Sequence, residues 1–206
     1  MTSLNEFPFF ESIKFNNGRF FHLNAHFKRM RETLKHFYGH ERLMVSEEWL
    51  RQFSPADAGL FKCRLSYGEF PDRPMFQAYE PKKKTSLKMV FTSGLDYRYK
   101  YNDRSRLQEL FNRREDKDDV LIVNDGLVTD THFCNIVFSD GKRWFTPENP
   151  LLRGIQRGFL LHQGVIHTRN IVPADLREFK SFKLINAMID WESAIETGID
   201  AIGRPE

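Results

Sequence analysis

Val120-Leu-Ile-Val123, Asn124-Asp125-Gly126, Leu127-Val128-Thr129-Asp130-Thr131-His132-Phe133-Cys134-Asn135-Ile136-Val137-Phe138 is the stretch whose reading sets the fold class. Four consecutive apolar residues, Val120 to Val123, are too few for a helix and read as a buried strand. Asn124-Asp125-Gly126 turns the chain back into Leu127-Val128-Thr129. Phe133 to Phe138, the Asp140-Gly141 turn and Trp144-Phe145 make a further hairpin. Downstream, Leu152 to Gln163 reads as a helix with Gly154 near its start, and Lys183 to Ala187 as a late strand. The second half is thus expected to be strand-rich, with one clear helix packed on it.

Toward the N-terminus, residues 9–15 read as a strand, Asn16-Asn17-Gly18 as a turn, and Arg19 to Leu23 as the returning strand. Asn24 stands where an N-cap belongs. Phe27, Met30, Leu34 and Phe37 follow at helical spacing, and Gly39 sits where such a helix ends. A second helix is expected from Ser46, with Glu47 and Glu48 in its first turn. From Gly59 the pattern alternates: Phe61, Cys63, Leu65 and Tyr67 fall on one face, Lys62, Arg64 and Ser66 on the other. Strands are expected near Phe76–Tyr79 and Ser86–Thr92. Thr92 to Asp103 lacks periodicity and reads as a linker, which divides the chain into 1–94 and 95–206. Leu107, Leu110 and Phe111 predict a short helix, followed by a charged loop from Arg113 to Asp119.

The composition bounds what such a chain can do. Of 206 residues, 40% are hydrophobic and 29% charged, enough apolar content for a packed core. No apolar run is long enough to span a bilayer, which predicts no membrane role. The opening Met1 to Glu6 has neither a basic nor an apolar signal region, so a cytoplasmic protein is expected. Its two cysteines, Cys63 and Cys134, are then reduced thiols. A net charge of +3 is far from that of a dedicated nucleic-acid binder, but compatible with small anionic ligands.

The common phosphate-loop, dinucleotide, nucleophile-elbow and zinc-protease motifs are absent. His36 and His40 have metal-ligand spacing, but Gly39 ends their helix and no third ligand is near in sequence, so no metal site is expected. Lys82-Lys83-Lys84 reads as a solvated turn. A distributed set remains. Arg29 flanks the apolar stripe of the first helix, where it can point along the sheet edge into a cleft. Lys100 lies in the linker among Tyr97, Tyr99 and Tyr101. Taken alone it is an exposed lysine; buried near aromatic groups, its amine would be nucleophilic. Asp130 alone is a turn acid. Gly154-Ile155-Gln156-Arg157 opens a helix, where free amides and the dipole suit an anion.

These segments, in this order, resemble the class IV (fold type IV) pyridoxal-phosphate enzymes, from about Phe9 to about Ala194. Phe10-Glu-Ser-Ile13 through His26-Phe27-Lys28-Arg29 is similar to the family's opening element, in which the arginine matching Arg29 holds the cofactor phosphate. Lys100-Tyr-Asn-Asp-Arg104 resembles the segment with the Schiff-base lysine. Gly126-Leu-Val-Thr-Asp130 through Asn135-Ile-Val-Phe138 is similar to the stretch whose acid pairs with the pyridine nitrogen. Asp130 stands where a glutamate is usual, so the ring must sit closer or a water must bridge. Leu151-Leu-Arg-Gly154-Ile155-Gln156-Arg157 resembles the phosphate-cup helix, with Gln156 in place of the common threonine. Ile185-Asn186-Ala187-Met188 matches the second phosphate loop, and its Asn-Ala pairing looks more like the aminodeoxychorismate lyase branch than the aminotransferases.

The resemblance implies a two-lobed α/β (α+β) protein. It would have a small N-terminal α/β lobe, a strand-rich pseudo-barrel C-terminal lobe, pyridoxal phosphate at their junction, and a homodimer with sites completed across the interface. Cofactor contacts would come from Arg29, Lys100, Asp130, Asn135, Ile155, Gln156, Asn186 and Ala187. Lys100 would carry the cofactor, yield it to the amine of a small anionic substrate, and then take the proton from the carbon bearing nitrogen. Arg64, Tyr67, Tyr97 and Tyr99 could contact substrate or cofactor hydroxyls, although each could equally be structural. Three outcomes follow: release of pyruvate from aminodeoxychorismate to give 4-aminobenzoate, a folate precursor; amine transfer among branched-chain or D-amino acids; or a family-like scaffold that only binds. The loop at Asn186-Ala187 favours the first.

Overall fold

The computed structural model describes residues 6–203, which form two compact units. Among these residues, one comprises 6–81 with Tyr99–Asp103, the other Lys82–Arg98 with 104–203.

In the first unit β1 (Phe9–Asn16) turns into β2 (Arg19–Phe20) and leads to α1 (Leu23–Tyr38). Then follow α2 (Glu47–Arg51), β3 (Leu60–Tyr67) and β4 (Met75–Ala78). The sheet order is β2-β1-β3-β4, antiparallel throughout. The tight turn needs left-handed backbone at two successive positions, which Asn17 (φ 47°) and Gly18 (φ 78°) supply. Helix α1 packs Leu23, Phe27, Met30 and Leu34 onto Ile13, Cys63 and Leu65. It ends on Gly39 at φ 77°, whose amide bonds the Lys35 carbonyl. Its start differs from expectation. Strand β2 stops at Phe20, and the N-cap is His22 in left-handed conformation, with the His22 carbonyl accepting from the amides of Ala25 and His26. Asn24 lies inside the first turn because the chain passes from the hairpin into the helix without a capping side chain. Ser46 does cap α2, accepting from the Trp49 amide at 3.1 Å.

The second unit contains β5 (Leu87–Thr92), α3 (Ser105–Asn112), β6 (Asp119–Asn124), β7 (Leu127–Thr131), β8 (Asn135–Ser139), β9 (Trp144–Pro147) and α4 (Ile155–His162). It closes with β10 (His167–Arg169), β11 (Ser181–Ile185), β12 (Thr197–Gly198) and β13 (Ile202–Gly203). The strand order β10-β9-β8-β7-β6-β5-β13 carries β11 on β8 and β12 on β11. Strand β6 is buried from Asp119 to Val123, which explains its unbroken apolar run. It pairs in parallel with β5, from Leu87 opposite Asp119 to Thr92 opposite Asn124. That pairing draws β5, which the sequence division at 94 groups with the first lobe, into the second unit. Helix α4 begins at Ile155, three residues later than the sequence pattern suggests, and β11 ends at Ile185, so Asn186 and Ala187 follow it. Lys84 departs from the expected solvated turn: it pairs with the buried carboxylate of Asp119.

Candidate functional site

The hairpin of β7 and β8 is closed by Thr131, whose amide and hydroxyl both bond the Cys134 carbonyl. It sets Asp130 directly opposite Asn135. On the other side of β8, Ile185 is paired with Asn135. One row across three strands therefore carries Asp130 and Asn135 and ends where Asn186 begins. Asn186 donates to the Cys134 sulfur at 3.3 Å and accepts from the Met188 amide at 2.9 Å, which fixes the loop containing Ala187 beside this hairpin.

Asp130 is 4% exposed. Its Oδ1 accepts from Asn135 Nδ2 at 2.7 Å and its Oδ2 from the Leu152 amide at 2.9 Å. Burial pushes its carboxyl up to about 6, against the pull of these hydrogen bonds and of Arg157. Asn135 Nδ2 also donates to the Leu152 carbonyl at 2.8 Å. Arg157 is itself buried, giving Nε to Thr146 and Nη2 to the Pro147 carbonyl. Two residues after Leu152, Gly154 stands as the N-cap of α4 with no side-chain cap. The first internal helix bond runs from Gly158 to the Gly154 carbonyl. The leading amides, those of Ile155 and Gln156 among them, thus have no partner within the helix, and the first turn contains no acid. Tyr97 of this unit is buried and accepts from Arg104 Nη1 at 3.1 Å.

Arg29, Lys100, Arg64, Tyr67 and Tyr99 belong to the first unit. Arg29 is clasped by Glu11, with Nε to Oε1 at 2.8 Å and Nη2 to Oε2 at 2.5 Å. The same Oε2 lies 2.7 Å from His26 Nδ1. Burial pushes the Glu11 carboxyl up, but Arg29 and His26 outweigh it and hold the group well below the usual carboxylate range. His26 is pushed down chiefly by burial, against the pull of the Glu11 carboxylate. Lys100 Nζ and the Arg64 guanidinium lie 4.9 and 3.9 Å from the Phe10 ring centroid. The Phe10 amide donates to the Lys100 carbonyl at 3.0 Å, so backbone pairing to β1 fixes Lys100. Arg64 also donates to Asn102, which in turn binds the Phe7 and Phe9 carbonyls. Tyr67 is in the core at 2% exposure, and Tyr99 stacks on His36 with centroids 4.8 Å apart. His40 lies 3.6 Å from Glu69.

Sequence reasoning missed Glu11, His26, Leu152 and Arg157, and it noted Gly154 only as a helix start. Glu11 had a signal, being an acid on the strand face otherwise made of Phe9, Ile13 and Phe15. Leu152 had none, because it acts through its backbone.

Residues 101–194 match the model of the family described as amino-transferase class IV. A Haemophilus influenzae protein named "Uncharacterized protein" is 33% identical over 184 residues, 88% of this chain and 98% of its own. A crystal structure from Haemophilus somnus, described as a "putative 4-amino-4-deoxychorismate lyase", is 32% identical with a TM-score of 0.81, covering 89% of this chain and 97% of that one. A Mesorhizobium loti structure, described as a "putative amino-acid aminotransferase", shares the fold at 19% identity, with a TM-score of 0.79 over 96% of this chain and 100% of that one. With a matching family model, and with relatives near one-third identity aligned over almost their whole length, this chain belongs to the class IV amino-transferase family of enzymes.

Proposed function

We propose that the protein is a pyridoxal-phosphate-dependent lyase that releases pyruvate from aminodeoxychorismate and leaves 4-aminobenzoate. The observation that carries the cofactor reading is Asp130: a buried carboxylate held by two donors, one of them the amide of Leu152, two residues before the N-cap of a helix that lacks any side-chain cap. That donor set fits the group. An acid beside a pyridine nitrogen and backbone amides beside a phosphate are the two ends such a cofactor requires.

Pyridoxal phosphate, the cofactor of this family, supplies an electron sink for the carbon that bears the substrate nitrogen. The chain's own residues do the rest. Asp130 would stand beside the pyridine nitrogen and favour its protonated form. The amides of Ile155 and Gln156, Arg29, and the loop of Asn186 and Ala187 hold the phosphate. Lys100 Nζ would supply the amine that holds the cofactor and would be the base that accepts a proton from the substrate carbon. Asn135 supports Asp130. Arg64, Tyr67, Tyr97 and Tyr99 are assigned to substrate or cofactor hydroxyls. The substrate is a small anionic amine, and the protein acts as a cytoplasmic homodimer.

Two features favour the lyase over amine transfer: the Asn186-Ala187 loop, and the name carried by the Haemophilus somnus relative. Purified protein with pyridoxal phosphate is expected to show a visible near-blue band that Lys100→Ala abolishes. Supplied with aminodeoxychorismate and no keto acid, it is expected to release pyruvate. No pyruvate, together with amine transfer that depends on a keto acid, would replace the lyase by an aminotransferase; no cofactor uptake at all would remove both.

A further inference from the structure

We propose that Asn135 is a positioning residue that locks two ends of one site: it pins the Asp130 carboxylate and, through Leu152 and Gly154, sets where helix α4 begins. The inference rests on the cofactor reading above.

The hydrogen bonds form a closed circuit. Asn135 Nδ2 has two protons, and both are used, one by Asp130 Oδ1 and one by the Leu152 carbonyl. The Leu152 amide returns to Asp130 Oδ2. Each member of the triangle therefore holds the other two, and Asp130 cannot swing without breaking a bond to β8 and a bond to the 152 loop. The remaining polar atom of Asn135, Oδ1, lies against Gly154. A Cβ built on Gly154 would stand 1.9 Å from that oxygen, well inside any real contact. Gly154 has φ −65° and ψ 147°, which alanine adopts freely, so the backbone does not require a glycine here. Only the space taken by Asn135 does.

This arrangement has a mechanical consequence. The Asp130–Asn135 pair is set by β7 and β8, and Gly154 is the residue from which α4 starts. Seating one amide side chain against a bare Cα ties the carboxylate to the helix start. A rigid planar ring with a phosphate arm needs that spacing held, because its nitrogen and its phosphate must be met at once. The circuit also compensates for the short acid. Aspartate has one methylene less than the glutamate usual in the family, hence fewer rotamers to lose, and two fixed donors leave it a single orientation.

The groups that titrate or bear charge against Asp130 are Arg157 and Cys134, and both remain when the circuit is cut. The test uses the whole protein freed of cofactor. Its Asp130 carboxyl is followed by carbon NMR against pH, with Asp130→Asn to assign the signal. The wild-type midpoint is expected at about 6. Asn135→Leu removes a donor to the ionised form, and Gly154→Ala displaces the same donor sterically. Each is expected to raise the midpoint by about one unit, a tenfold loss of acidity, and to weaken pyridoxal phosphate binding by roughly tenfold. Gly158→Ala lies on the same helix with nothing within 4 Å and should change neither reading. A merely structural role would lower the melting temperature but leave the midpoint in place. Should Asn135→Leu fail to fold, Gly154→Ala decides alone. An unmoved midpoint in a folded variant overturns the circuit, whereas a wild type that takes up no pyridoxal phosphate overturns the reading of the site on which it rests.

Discussion

Glu11, Arg29 and His26 show how little a single charged residue can be judged apart from its partners. Glu11 has no solvent exposure, and its carboxylate survives burial because two groups compensate it. A carboxyl held below its ordinary value of 4.5 contributes stability that is fully present above that value. The contribution is lost as pH falls below 4.5 toward the depressed value. Glu11→Gln should therefore destabilise the protein at pH 7, by about 3 kcal/mol, since the pairing of the largely buried Arg29 with the Glu11 carboxylate is lost. It should also lose less stability than wild type between pH 5 and 3. Urea melts at the two pH values check this, and equal losses in both proteins would refute it. The thiols offer a second residue-level reading. Burial pushes Cys63 and Cys134 up to about 12, so at pH 8 only ~10⁻⁴ of either is thiolate. Neither is expected to react with a disulfide reagent in the native protein, while the unfolded chain should titrate both. Prompt native reaction at either site would contradict the burial described.

At the scale of elements, what could be read in the sequence was what is decided locally. The Asn17-Gly18 turn, the Phe27, Met30 and Leu34 stripe of α1 with Gly39 at its end and the Ser46 cap depend on neighbours a few residues away, and each stands in the structure, whereas Phe37, the last of the expected stripe, is exposed. The start of α1 did not follow its capping signal, because His22 joins hairpin to helix through its own carbonyl. Strands β10, β12 and β13 are two or three residues long and exist only by pairing with distant partners, so no local pattern marks them. The site divides the same way. Asp130 and Asn135 face each other across one tight hairpin and were legible together. Glu11 meets Arg29 across 18 positions and Leu152 meets Asp130 across 22. The two kinds of element also differ in what substitution costs. At Gly39, where φ is 77° and nothing lies within 4 Å, alanine pays only for left-handed backbone, ~1 kcal/mol. Leu121→Ala, in the fully buried stretch of β6, leaves a cavity and should cost ~2–5 kcal/mol. Denaturant midpoints rank the two, and a larger loss at Gly39 would mean that β6 is loosely packed.

For the whole molecule, the apportioning of residues between the two units gives the proposed chemistry its most demanding check. The parallel pairing of β5 with β6 builds the second unit from both sides of the 99–103 segment, which itself joins the first unit through the Phe10–Lys100 backbone bond. Lys100 thus lies on a short excursion of chain, with Arg98 and Arg104 on either side of it in the second unit. A residue placed so is fixed by two departures of the backbone, not by a helix or strand of its own. The contacts proposed for pyridoxal phosphate name Arg29 and Lys100, which belong to the first unit, and Asp130, Ile155, Gln156 and Asn186, which belong to the second. A ligand that binds only the native state stabilises whatever it touches, by ~2.7 kcal/mol at a hundredfold excess over its dissociation constant. Hydrogen exchange with and without the cofactor should therefore slow at the amides of Ile155 and Gln156 and also along α1 around Arg29 and at residues 99–103. In Lys100→Ala the gain at 99–103 should shrink, while that at Ile155 and Gln156, carried by the phosphate, persists. Protection confined to the second unit in the wild type would remove Arg29 and Lys100 from the site and with them the proton acceptor on which the lyase reaction depends.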